Sequence, residues 1–229
     1  AFVGYFSTIS QRWIASIMAF GSGVLISALS FDLMDEAYKT GGFDSTASGF
    51  LGGALVYTLA NILLAKRGAR HRKRSGTKQP SEKEDEGSGM AIAVGSLMDG
   101  IPESIVIGVS MIHSGVVSMV AVIAIFLSNV PEGLSSAAGM KKAGRSAKYI
   151  FTIWAGIAII SGMAALLGFV FFSGFNADVI AATTAVAAGA ILAMLADTMI
   201  PEAFETAHNY AGLITVIGFL CAFILSKYG

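Results

Sequence analysis

"LMDGIPESIVIG", Leu97 to Gly108, sets Asp99, Glu103 and Pro102 inside an otherwise apolar stretch. Twenty-nine residues further on, "FLSNVPEGLSSA", Phe126 to Ala137, repeats the arrangement with Pro131 and Glu132 in register. A carboxylate and a helix-disrupting proline in one apolar run are an unusual combination, and a second copy in register calls for a physical cause.

The surrounding composition shows what kind of run this is. The chain has 229 residues, 55% of them hydrophobic and 13% charged, with a mean hydropathy of +0.71. Soluble domains carry about 25% charge. Continuous apolar runs of about 20 residues fit helical spans, whereas barrel strands would alternate. An all-α polytopic membrane protein is therefore expected, with residues 1–229 forming one transmembrane domain. Zero net charge predicts no nucleic-acid partner. The single cysteine, Cys221, excludes an intrachain disulfide and a thiolate cluster.

Seven spans are expected, at 13–38, 46–66, 89–112, 115–140, 149–173, 178–206 and 208–227. The one long connection, "KRGARHRKRSGTKQPSEKEDEGSG" from Lys66 to Gly89, is basic, then acidic, and rich in Gly and Ser. It reads as a solvated, flexible loop over residues 67–88. If this loop is cytoplasmic, alternation places thirteen of the fifteen Lys and Arg residues inside, leaving only Lys39 and Lys227 outside. That agrees with the positive-inside rule and puts the C-terminus outside. The opening "AFVGYFSTIS" is too short to cross a bilayer and shows no signal-peptide pattern.

Two internal similarities stand out. Gly95–Met111 matches Ala124–Met140 at an offset of 29, and "LSFDLMDEAYKT" (Leu29 to Thr40) matches "LADTMIPEAFET" (Leu195 to Thr206) at an offset of 166. In both cases the two spans run in opposite directions, as in inverted repeats, which build transporters with a site near the midplane.

A charge at bilayer depth costs about 2.5–3.5 kcal/mol even on lenient insertion scales. Asp99, Glu103 and Glu132 lie mid-span, and no Lys or Arg lies at that depth. They need a bound cation, or else they are protonated. Asp99 and Glu103 are four apart and share a helix face, and Ser128 and Glu132 repeat the spacing. Pro102 frees the carbonyl of Met98, and Pro131 that of Leu127. Ser128 and Asn129 serve equally well as ligands or as interhelical hydrogen-bonders, and Met98 reads as packing. Further acids flank this centre. Asp32 and Glu36, with Asp35 beside them, lie toward the outer end of their span. Asp197, Glu202, Glu205 and His208 lie toward the inner end of theirs. Asp32, Glu36, Asp197 and Glu202 are the expected pathway residues. Asp44, Asp178 and His113 read as loop residues.

At these motifs the chain resembles the ZIP family of divalent-metal transporters, as a divergent, prokaryotic-looking member. The family's paired motif is His-Asn-x-Pro-Glu-Gly, and "DGIPES" and "SNVPEG" stand in its places. The resemblance covers nearly the whole chain. It implies a ZIP-like helical bundle of eight spans, seven of them visible, with a first span expected ahead of Ala1. It places the primary metal site on Asp99, Glu103, Ser128 and Glu132, and a second metal position on Gly100, Asn129 and the two glutamates. It also implies a homodimer in the plasma (inner) membrane and no enzymatic activity.

Asp99 and Ser128 replace the family's histidines, and Gly100 replaces an asparagine. An all-oxygen site suits Mn²⁺ or Fe²⁺ better than an imidazole site does, while zinc also accepts carboxylates. The expected cargo is thus Zn, Mn or Fe, with membrane lipids as surroundings and no organic cofactor. A proton- or monovalent-cation-coupled carrier and a non-transporting metal sensor are the alternatives. No His-Glu-x-x-His occurs, which argues against an intramembrane metalloprotease.

Overall fold

The computed structural model describes residues 1–7, 9–66, 88–115, 117 and 119–228. Within that range the chain is helical and contains no strand. The helices are α1 (Phe2–Phe6), α2 (Gln11–Ala28), α3 (Met34–Ala65), α4 (Ser88–Ser114), α5 (Met119–Lys142), α6 (Ala147–Phe172), α7 (Ala177–Met194), α8 (Ile200–Ala207) and α9 (Ala211–Tyr228). The expected spans 89–112, 115–140, 149–173 and 208–227 match α4, α5, α6 and α9 to within a few residues, whereas 13–38 runs through α2 into α3, 46–66 covers only the later part of α3, and 178–206 covers both α7 and α8. The flexible-loop expectation falls almost wholly on residues 67–87, outside the described residues, and Ser88 already belongs to α4.

Local chemistry sets the helix starts. The Ser10 hydroxyl accepts from the Trp13 amide, Ser146 from that of Tyr149, and Asn176 from that of Val179. Each satisfies an amide that the first helical turn leaves without a partner. Two π turns interrupt otherwise regular helix: Leu29–Leu33 joins α2 to α3, and Leu195–Met199 joins α7 to α8. Each contains an aspartate, Asp32 or Asp197. Beyond them come two backbone breaks, Gly42 (φ 70, ψ −174) and His208 (φ 46, ψ −123).

The two halves share one spacing. The capping residues Ser10 and Asn176, the 18-residue helices α2 and α7, the two π turns and the breaks at Gly42 and His208 each recur 166 positions apart.

Helices meet through glycines. A Cβ at Gly49 would strike the Ala182 carbonyl, one at Gly53 the Val186 carbonyl and one at Gly189 the Phe50 carbonyl; partners rise together from Gly49 and Ala182 to Gly53 and Val186, so α3 and α7 run parallel with their backbones in contact. Gly23 against Thr215 and Gly218 against Phe20 join α2 to α9 in the same sense, and Gly108 against Ala165 joins α4 to α6. Such close approach is how helices associate where the medium is as apolar as their side chains.

Polar and apolar groups are distributed as a bilayer requires. Large apolar side chains face outward, including Leu51, Leu55, Leu59 and Leu63 on α3 and Leu166, Leu167 and Val170 on α6. Ser96, Asp99, Glu103 and Ser104 are buried. Among the described residues, four stretches are long and apolar enough to cross a membrane: Gln11–Ala65, Ala93–Ile112, Ala147–Phe172 and Ala177–Tyr228. Gly42 breaks the first of these, and His208 the last.

Candidate functional site

The centre of the bundle is built on α4. Ser96, Asp99 and Glu103 follow one another at i, i+3 and i+7, so they share one face. Asp99 and Glu103 are each 2% exposed. The Tyr57 hydroxyl of α3 donates to Asp99 Oδ1 at 2.7 Å. From the other side, Asn129 Nδ2 of α5 donates to Glu103 Oε2 at 2.7 Å and to the Ile125 carbonyl at 2.8 Å. Three helices are thereby tied together through two carboxylates. Both donors are neutral, so these bonds orient the carboxylates without cancelling their charge.

Pro102 does not break its helix. Residues Ser88–Ser114 form one continuous α-helix through it, and the backbone of α5 is likewise continuous across residue 131. The expected Pro-broken helices are corrected to helices that each lose a single hydrogen bond. Proline removes only its own amide, and the bonds of the neighbouring residues maintain the helical path. The Ser104 hydroxyl adds a bond to the Gly100 carbonyl at 2.7 Å in the same turn.

Beside Gly100 the structure supplies an oxygen from elsewhere. A Cβ there would meet the Ser161 hydroxyl of α6 at 3.4 Å. The Ser96 hydroxyl is buried with no hydrogen-bond partner among the described residues. An unsatisfied buried hydroxyl costs about 1–3 kcal/mol unless a water or ligand takes it. Ser96, Asp99 and Glu103 thus put a hydroxyl and two carboxylates on one face of α4, with Asn129 of α5 bonded to Glu103 and Ser161 of α6 beside Gly100. The side chains of Ser128, Pro131 and Glu132 lie outside the described residues, as does that of His113. Among the described residues, no three His, Cys, Asp or Glu side chains converge.

The flanking acids divide. Asp32 Oδ1 accepts from the Ser226 hydroxyl of α9 at 2.7 Å, while its Oδ2 is buried without a hydrogen bond to any of the described residues. A void of about 10 Å³ separates Asp32 from Ile125, Val106 and Ile191. That is room for about one water, too little for a hydrated ion. Ile125 is also the residue whose carbonyl holds Asn129, so the void reaches toward the carboxylate site. Glu36 is half-buried, and Asp35 is exposed and paired with Lys39 at 2.6 Å.

At the other end Glu202 is 8% exposed, whereas Asp197 and Glu205 are exposed. Asp197 and Glu202 thus differ in burial although they are five residues apart. Glu205, His208, Arg12, Asn209 and Tyr210 line a cavity of about 650 Å³. Asp44 and Asp178, read as loop residues, are exposed but helical: Asp44 lies two residues past the Gly42 break in α3, and Asp178 in the first turn of α7; the backbone at His113 is likewise part of α4.

Sequence reasoning missed Tyr57, Ser161 and Ser226. Tyr57 left one signal: it is a hydroxyl-bearing ring in mid-span, and a buried phenol in an apolar medium needs an acceptor. No protein-family model matches this chain, and no curated protein matches it significantly.

Proposed function

We propose that this chain is a ZIP-like carrier that moves a divalent metal into the cytoplasm, with Asp99, Glu103, Asn129, Ser128 and Glu132 forming the central site. The observation that carries this reading is a pair of carboxylates, each 2% exposed, on one face of a helix long and apolar enough to cross a membrane. A phenol donates to one and an amide to the other, and the sequence has no Lys or Arg mid-span. A bound cation is the simplest balance for two such groups.

The recurrence at 166 supports an inverted-repeat carrier. Exchanging α2 with α7, and the second arm of α3 with α9, turns the α2–α9 pair into the α7–α3 pair. Cargo would enter past Asp32 and Glu36 and leave past Glu202. The contrast between the void of about 10 Å³ beside Asp32 and the cavity of about 650 Å³ beside Glu205 fits a state closed at one end. The all-oxygen donor set favours Mn²⁺ or Fe²⁺ over zinc. The skew of Lys and Arg toward one side supports a cytoplasmic long loop, and the family resemblance supports a homodimer.

The test is metal uptake into proteoliposomes, comparing Mn²⁺, Fe²⁺, Zn²⁺ and Cd²⁺, alongside a Glu103→Ala/Glu132→Ala double variant. Uptake that is lost in the double variant supports the carrier. Binding without flux selects a sensor. The replacement of the family's histidines by Asp99 and Ser128 favours one other reading, a proton- or monovalent-cation-coupled carrier with protonated carboxylates. Calorimetry showing no divalent binding to folded protein would select it.

A further inference from the structure

A groove opens between α3, α4 and α7, with Tyr57 in its wall. Its volume is about 180 Å³, and its walls include Val56, Tyr57, Met98, Pro102, Thr183 and Val186. Val56 and Val186 stand at its rim, 66% and 42% exposed, and Tyr57 lies at its base, 3% exposed. All three helices belong to stretches long and apolar enough to cross a membrane.

The walls specify the chemistry of the occupant. The two polar side chains among them are turned away: the Thr183 hydroxyl donates to the Val179 carbonyl at 2.8 Å, and the Tyr57 hydroxyl donates to Asp99. The side chains offered to the groove are aliphatic carbons, a thioether, a pyrrolidine ring and one aromatic face. The rim continues into the outward-facing Leu55, Leu59 and Leu63 of α3, so the surface leading to it is one that hydrocarbon covers. Gly53 packs directly on the Val186 carbonyl, which holds the α3 and α7 walls at a fixed spacing. The groove is therefore a preformed, narrow, apolar slot opening toward the acyl layer.

We propose that this groove seats the acyl chain of a membrane lipid against the ring of Tyr57. The chain would pack on one side of a ring whose hydroxyl positions Asp99, bringing the bilayer within one side chain of the carboxylate site. The seat itself rests only on the chain spanning a membrane, whereas its influence on cargo rests on the carrier reading above.

The protein is reconstituted in phosphatidylcholine vesicles doped with phosphatidylcholine carrying a diazirine on one acyl chain. It is then irradiated, and adducts are mapped by mass spectrometry. Adducts at Val56, Met98 and Val186 are expected to exceed those at the lipid-facing Leu166 and Leu167 several-fold. Val186→Trp, or Val56→Trp from the opposite wall, fills the slot and should lower the groove adducts several-fold while leaving those on α6 unchanged. Either variant suffices, with folding checked by monodisperse elution and helical circular dichroism. Tyr57→Phe keeps the ring and should keep the labelling. Labelling that merely tracks exposure, or that either folded tryptophan variant leaves unchanged, overturns the proposal. Protection of the groove together with cross-links between copies would assign it to a protein partner and also overturn it. Labelling as expected without metal uptake would reject the carrier and retain the seat.

Discussion

Tyr57→Phe removes one oxygen and nothing else from the centre of the bundle. The phenyl ring still fills its place at 3% exposure, so packing between α3 and α4 is preserved. What disappears is the 2.7 Å bond to Asp99 Oδ1. A hydrogen bond to a charged group is worth about 1.5–3 kcal/mol, which corresponds to roughly 10- to 150-fold in an equilibrium constant. Outer partners that orient a metal's carboxylate ligand typically contribute about 10–100-fold to affinity. The variant is therefore expected to bind Mn²⁺ about 10–100-fold more weakly, with a modest fall in thermal midpoint. Calorimetric titration of the detergent-solubilised protein gives the first quantity, and scanning fluorimetry of the same sample gives the second. A lowered midpoint with unchanged Mn²⁺ affinity would refute the reasoning. Tyr57 would then be a structural tie, and Asp99 would not be a metal ligand.

Asn129→Ala takes the amide donor from Glu103 and is expected to weaken metal binding at least tenfold by the same titration. Gly189→Ala forces a Cβ into the Phe50 carbonyl, and overpacking of this kind costs about 1–3 kcal/mol. Its thermal midpoint should fall, whereas Gly162→Ala, with nothing within 4 Å, should leave the midpoint unchanged or raise it. The two backbone breaks should respond oppositely. Gly42→Ala puts a side chain where φ is 70 and ψ is −174 and should destabilise by about 1–3 kcal/mol, while His208→Gly should relieve a similar strain. Chemical denaturation of both variants measures the pair.

Much of the helical layout was legible because a membrane span writes itself locally. Twenty apolar residues bounded by Ser10, Ser146 or Asn176 leave the backbone few alternatives to a capped helix. The repeat at 166 was visible as a short pattern, and the structure extends it to caps, π turns and breaks. The prolines misled, because their effect depends on whether neighbouring hydrogen bonds continue the helix. Asp197 was grouped with Glu202 by proximity along the chain. The π turn at Leu195–Met199 inserts an extra residue into the helical winding, and Asp197 is exposed where Glu202 is buried.

From the sequence alone came the apolar spans, the charge asymmetry across them, and the depth of Asp99 and Glu103, since all three depend on residue type and spacing along one helix. Which neutral groups face those carboxylates was decided only in three dimensions. Tyr57 and Asp99 are 42 residues apart, Glu103 and Asn129 are 26 apart, and Asp32 and Ser226 are 194 apart. Helix periodicity orients a side chain about its own axis, but its partner is chosen by which helices can approach. Here that approach is set by glycines such as Gly53 and Gly189, where backbone meets backbone.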